Sequence, residues 1–260
     1  MSQTTNSTFY QLALQQCVSV QSKLMQQHTL SNGEKVWVRL AGKRNSIWRY
    51  RLLKIAQKIS GIHMLQPVPN LGGVSSLRTE VKRLQELAQA NICVPKVLAQ
   101  EPNATMISNI GEHNLEKEWW ECHEDPQTLL QRWRLGLRAI VHVHQQQQYL
   151  SESFARNMIF INDQQIGFID FEDDPLTAMP LTQCHARDLL CYLHSGAQLM
   201  NQFGISIEAQ QSWHQIIAEQ PASTQSIIQN SLRKIRWMRR FTAEFYGKDT
   251  LKLAAMANFN

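Results

Sequence analysis

The sequence predicts an α+β chain in two parts: a small, β-rich part over residues 1–108 with one key helix, and a larger, mostly helical part over 109–260. Three observations predict it. Up to residue 108, short apolar runs and turn signals flank one strongly amphipathic stretch, and from residue 125 onward apolar residues recur at helical spacing. One pair of apolar runs, 158–161 and 166–171, interrupts the helical pattern around a polar turn at 162–165, as a β-hairpin does. Between the two parts, Asn109-Ile110-Gly111 breaks the periodicity in the manner of a linker.

Each element follows from local rules. After a polar start, Asn32-Gly33 signals a turn, and the alternation of Val36, Val38 and Leu40 predicts the strand that follows it. The stretch WRYRLLKIAQKI sets Leu52, Leu53, Ile55 and Ile59 among Arg49, Arg51, Lys54 and Lys58, a basic amphipathic helix expected to turn its apolar side to the core. Pro67, Pro69, Gly72 and Gly73 make a loop. Leu77, Val81, Leu84 and Leu87 then predict a helix over 76–90, with Glu80 beside its apolar face and its end before Pro95. Runs at 94–98 and 105–107 read as strands. Asp125 as N-cap and Pro126 in the first turn open a long helix through Leu130, Leu137, Ile140 and Val141 toward Gln148. A helix around 188–190 and a basic helix, SLRKIRWMRRFTAEF, complete the chain.

Composition narrows the function classes. With 260 residues and 43% hydrophobic content the chain can bury one large core or two small ones. It contains no run of about 18 apolar residues, and its first residues lack the basic start and apolar stretch of a secretion signal. A cytoplasmic location is expected, with the inner membrane face as a peripheral contact. Five scattered cysteines suit a reducing compartment, and the pairs Cys122-His123 and Cys184-His185 lack the spacing that presents two ligands to one zinc ion. The net charge of +5 permits an acidic partner, whether nucleotide, anionic lipid or nucleic acid. His142 and His144 point to different helix faces and are expected to be structural, as are Trp119 and Trp120.

The chemistry concentrates at the predicted hairpin. Asp170, Glu172, Asp173 and Asp174 crowd its end, although only 18% of the chain is charged. Asn157 and Asp170 stand at the two open ends, where antiparallel pairing brings them together as hard oxygen donors of the kind magnesium prefers. The same residues also fit a turn cap at Asn157 and a solvated acidic loop.

The pattern N-M-I-F-I-(x)n-I-G-F-I-D-F resembles the metal-binding hairpin of the protein-kinase-like superfamily, and Ile169-Asp170-Phe171-Glu172 is similar to its atypical bacterial branch of aminoglycoside and choline phosphotransferases and lipopolysaccharide core sugar kinases. The resemblance covers roughly residues 30 to 200. It implies a bilobal fold, with residues 1–108 as an ATP-binding lobe and 109–260 as the lobe that carries the catalytic loop, the metal hairpin and the acceptor site. It implies ATP and Mg²⁺ as cofactors, with Asn157 and Asp170 as metal ligands. Glu80 would pair with a cation on the preceding strand, the backbone around Ile107 and Asn109 in ISNIGEHNL would meet adenine, and Asp188 in HARDL would brace the catalytic loop. The chain departs from the family in three places. Glu152 stands where the family has its catalytic aspartate, Arg39 stands where it has the phosphate-binding lysine (Lys43 being an alternative cation), and no G-x-G-x-x-G precedes that strand.

The expected activity is transfer of the γ-phosphoryl group of Mg-ATP to a hydroxyl of a small-molecule, sugar or glycolipid acceptor, with Glu152, Asp170 and Asn157 at the catalytic centre. Two other readings remain open. One is a pseudokinase that binds nucleotide or a protein without catalysis. The other is a binder of anionic membrane surfaces or nucleic acid through Arg233, Lys234, Arg236, Trp237, Arg239 and Arg240, with nucleic acid the less favoured partner.

Overall fold

The structure, a computed structural model, describes residues 2–43, 68, 72–241 and 247–260. The expected α+β class holds. Helix α1 (Ser2–Val20) precedes a four-stranded antiparallel sheet of β1 (Met25–Thr29), β2 (Lys35–Leu40), β3 (Val97–Glu101) and β4 (Ala104–Ser108), in the order β1-β2-β4-β3. Gly33, at φ 82°, makes the β1–β2 turn in a region that glycine enters without steric cost. The turn closes through Leu30 N to Glu34 O at 2.9 Å, and the Asn32 side chain accepts from Glu34 N at 3.0 Å.

Alternation along β2 sends Val36 and Val38 to a buried face, where Ala13, Leu14 and Cys17 of α1 and Met106 of β4 cover them. Helix α1 was not expected from its polar sequence, and docking on the sheet supplies what its weak amphipathicity lacks. Pairing of β3 starts later than the apolar run that predicts it, because Pro95 has no N–H to give a ladder. The basic amphipathic helix expected around residues 49–59 lies outside the described residues, as do Pro67 and Pro69.

Helix α2 (Gly73–Gln89) buries the predicted stripe of Leu77, Val81, Leu84 and Leu87, and with it Glu80 and Arg83. Beyond β4 come β5 (His113–Asn114), α3 (Leu115–Glu121), α4 (Pro126–Gln145), the hairpin of β6 (Met158–Asn162) and β7 (Gln165–Phe168), and helices α5 (Leu181–Gln202), α6 (Ser206–Ala218), α7 (Ala222–Ile235) and α8 (Lys248–Met256). Strands β5, β6 and β7 form a second antiparallel sheet. Asp125 caps α4 as its sequence predicts, accepting from Gln127 N at 3.0 Å and Thr128 Oγ1 at 2.6 Å. The basic stretch does not continue as one helix: α7 stops at Ile235 and residues Arg236–Arg240 tighten into a 3₁₀ turn.

One apolar core joins Leu84, Leu87, Ile92, Val94 and Ile107 to the helices of the second part, and a smaller one lies between α1 and the first sheet. In the larger core Trp133 donates to Ala209 O at 3.2 Å and Tyr192 Oη donates to Trp133 O at 2.7 Å, so both aromatic polar atoms are paired. Gly136 lets α4 approach Tyr192, because a Cβ there would stand 2.3 Å from the phenolic oxygen.

Candidate functional site

A cavity of about 390 Å³ opens between the first sheet and the β6–β7 hairpin. Its walls combine apolar residues from the sheet and linker, Trp37, Ile107 and Ile110, with polar ones gathered toward Arg39, Glu80, Asn157 and Asp170.

The hairpin register sets Asn157 against Asp170. Met158 pairs with Phe168, and Ile169 N donates to Asn157 O at 3.0 Å, so the residues just outside the ladder face each other. Pairing ends earlier than the apolar run predicts because Asp170 takes φ 72°, a left-handed backbone that turns the chain out of the sheet. An aspartate tolerates that conformation better than most side chains do. The Asn157 amide Nδ2 lies 3.4 Å from Asp170 Oδ2 and donates to Glu152 O at 3.0 Å.

Across the cavity, Arg39 on β2 reaches α2. Its Nη1 is 3.2 Å from both carboxylate oxygens of Glu80, and its other terminal nitrogen pairs with Glu172. Arg39 is 18% exposed, Glu80 only 3% and Glu172 28%. Burial raises the pKa of Glu80, the Arg39 charge opposes that rise, and the nearby Asp170 carboxylate adds to it. Lys43, the alternative cation, is exposed beyond the end of β2 and is not among the residues that line the cavity.

Ile107 and Asn109 lie on the cavity wall where the sheet passes into the linker. The Asn109 side chain is committed to bracing it: Oδ1 accepts from Trp37 Nε1 at 3.1 Å, and Nδ2 donates to Glu112, which also pairs with Lys35 at 2.9 Å.

Glu152 does not line the cavity. Its carboxylate sits 3.4 Å from Arg156 and 3.8 Å from Arg187. Burial raises its pKa most, Arg187 pulls it back, and Asp170 raises it again, so the Asp170 charge is felt by both Glu80 and Glu152.

Asp188 on α5 is wholly buried behind this segment, accepting from Leu150 N at 2.9 Å and contacting His144 Nε2 at 3.1 Å. Desolvation pushes its carboxyl up to about 8 and the His144 imidazole down to about 3. His185, stacked on His144 with ring centroids 3.9 Å apart, falls to about 4 for the same reason, and its Nε2 meets Gln148 O at 2.9 Å. Burial thus disfavours charge on all three groups, and the cluster ties residues 148–150 to α5.

Sequence reasoning missed Arg83, Tyr149 and the second partner of Arg39. Arg83 follows Glu80 by three residues, so the two share the broad buried side of the helix while diverging by about 60° around its axis, and a second charge beside the apolar stripe was the signal that could have found it. Asp174, at the end of the acidic run, accepts from Tyr149 Oη at 2.6 Å and caps the 3₁₀ turn Pro175–Thr177. In the basic segment, Arg233, Lys234, Arg236, Trp237 and Arg240 are exposed, while Arg239 turns inward to donate to Ala257 O at 2.6 Å. A separate group, His113, Glu118 and Glu121, also has oxygen and nitrogen donors near one another, but Lys117 and Arg132 already lie beside its carboxylates.

The chain matches no family model and no curated protein. Among the described residues no helix is long and apolar enough to cross a membrane.

Proposed function

We propose that this chain is a kinase-like phosphotransferase that binds Mg-ATP in the cavity and moves the γ-phosphoryl group to a hydroxyl of a small-molecule, sugar or glycolipid acceptor. The observation that carries this reading is the meeting of Asn157 and Asp170, 3.4 Å apart, on the same cavity wall system as the Arg39–Glu80 ion pair. In it the first sheet with α1 and α2 serves as the smaller lobe and the helices after the linker as the larger one.

The donor set fits magnesium. Asp170 offers a carboxylate, and Asn157, whose Nδ2 is turned to Glu152 and Asp170, offers its carbonyl oxygen, both hard ligands of the type that leaves the remaining positions to phosphate and water. Bound there, the ion would offset charge on the phosphate oxygens. Arg39 would present a fixed cation to the same oxygens, its orientation set by Glu80 and Glu172. The cavity size lies in the range of small-ligand sites, and Trp37, Ile107 and Ile110 supply apolar surface for a base. Glu152 would accept the acceptor's proton; the rise that burial gives its pKa favours that role, and Arg156 and Arg187 hold it in place.

Calorimetry of nucleotide binding with and without Mg²⁺ tests the reading. Magnesium-dependent ATP binding that disappears in Asp170→Ala is the expected result, and ATP turnover that survives this substitution overturns it. A nucleotide-binding chain without catalysis is the second reading, favoured by Glu152 lying off the cavity wall and by the sharing of Arg39 between two carboxylates. Activity that appears only in the double variant Arg39→Lys, Glu152→Asp would select it.

A further inference from the structure

Among the described residues, Arg83 is the most deeply buried cation near the cavity, 2% exposed, on the apolar face of α2. Its Nη1 pairs with Glu86 at 2.5 Å. Its Nη2 donates to Tyr149 O at 2.9 Å and to Gln148 Oε1 at 3.3 Å, and the guanidinium lies 3.8 Å from the centre of the Tyr149 ring. The far end of Tyr149 donates to Asp174 at 2.6 Å, and Ser151 Oγ donates to Asp173 O. A continuous run of contacts thus leads from Arg39 to Glu80, along α2 to Arg83, and through Tyr149 to the turn that follows Asp170.

A buried cation is a costly way to fill a helix contact. Well-packed apolar residues do the same job with no charge to desolvate, and Arg83 keeps a buried Nε with no hydrogen-bond partner. What the ionic contact supplies is direction. Glu80 points from α2 to the sheet, while Arg83, less than one turn later, points to residues 148–149 of the loop that leads to Glu152. Turning α2 about its axis breaks one of the two attachments.

We propose that Arg83 and Tyr149 are positioning residues, which lock the rotation of α2 to the 148–152 loop and to the acidic turn 170–174, so that Arg39 and Asp170 meet a nucleotide's phosphates in one geometry. This deepens the proposed function and rests on it for its ligand, but the lock itself is a property of the chain alone.

Two measurements on three variants test it. Arg83→Met fills the space without charge, Arg83→Lys keeps the charge without the planar fork, and Tyr149→Phe removes only the hydroxyl. In the natural chain and each variant, amide hydrogen exchange is followed in α2 and in residues 147–153 and 170–178, and Mg-ATP affinity is measured beside the melting temperature. Tyr149→Phe is expected to speed exchange in α2, although the hydroxyl it loses does not touch that helix. Arg83→Met is expected to speed exchange in both loops and to weaken Mg-ATP binding roughly 2- to 30-fold, the span of coupling energies carried by such networks, with little loss of melting temperature. Partial recovery in Arg83→Lys would separate positioning from packing. Unchanged exchange in α2 for Tyr149→Phe overturns the lock. A natural chain that binds no nucleotide while the exchange response is present removes the reading of the cavity and leaves the lock standing. Full Mg-ATP affinity in Arg83→Met removes the role at the site.

Discussion

Two ionisable clusters, one around Arg39 and one around Asp188, lie close together in this protein and treat their carboxylates in opposite ways. At the cavity, Glu80 and Glu172 share the guanidinium of Arg39, and water reaches Arg39 and Glu172 although Glu80 itself is buried. Behind it, Asp188 has no access to solvent and stands beside two imidazoles whose charged form burial disfavours. The first group pairs charges; the second removes them. A carboxylate beside a cation at the edge of water stays useful to an anionic ligand, whereas one in the dry interior is cheaper to keep protonated than to ionise.

Removing Asp188 should give the largest effect. Asp188→Ala leaves Leu150 N–H buried without its acceptor, which by itself costs about 1–3 kcal/mol. Asp188→Asn keeps an acceptor oxygen and no charge, so it should lose much less. Urea unfolding midpoints compare the two, and an Asn variant as damaged as the Ala variant would show that Asp188 is ionised in the fold.

The front pair should respond next. Arg39→Met strands the Glu80 carboxyl, 3% exposed, next to Asp170, and is expected to cost about 1–3 kcal/mol, less than for a fully dry pair because water reaches Arg39 and Glu172. Arg39→Lys should recover much of it. A silent Arg39→Met would mean that the pair contributes orientation without stability.

The pH profile sharpens the contrast. His144 and His185 have folded values of about 3 and 4 against an ordinary 6.5, so the unfolded chain takes up protons first as pH falls, and their contribution, full above 6.5, is lost toward pH 4. Asp188 has the opposite sign. Its folded value of about 8 lies above the ordinary 3.8, so its contribution is full at low pH and is lost as pH rises toward 8. Two imidazoles outweigh one carboxyl below pH 6.5 and are silent above it. The cluster therefore predicts stability that climbs from pH 4 to 6.5 and declines from 6.5 to 8. Asp188→Asn should flatten the decline, as a series of thermal melts would record.

The smallest effect belongs to Tyr149→Phe, which removes one hydrogen bond to a half-buried aspartate and should cost about 0.5–1.5 kcal/mol. Fluorescence-monitored unfolding in urea resolves a change of that size.

What the sequence determined by itself was whatever depends on near neighbours. The stripe of Leu77, Val81, Leu84 and Leu87 is a helix in any context that covers it, Asp125 and Pro126 cap and open α4 from adjacent positions, and the alternating runs around 162–165 place Asn157 and Asp170 at one end of a hairpin. Pairing of Glu80 with Arg39 was legible only through the family resemblance, since 41 positions separate them. Tertiary structure alone decided that Arg39 has a second carboxylate, that Glu152 stands off the cavity wall between two arginines, that polar α1 is a helix at all, and that Arg83 finds Tyr149 across 66 positions. The reason is range. Backbone periodicity and capping act over three or four residues, while the partner of a buried charge is chosen by whichever elements pack against it, and desolvation then fixes its protonation.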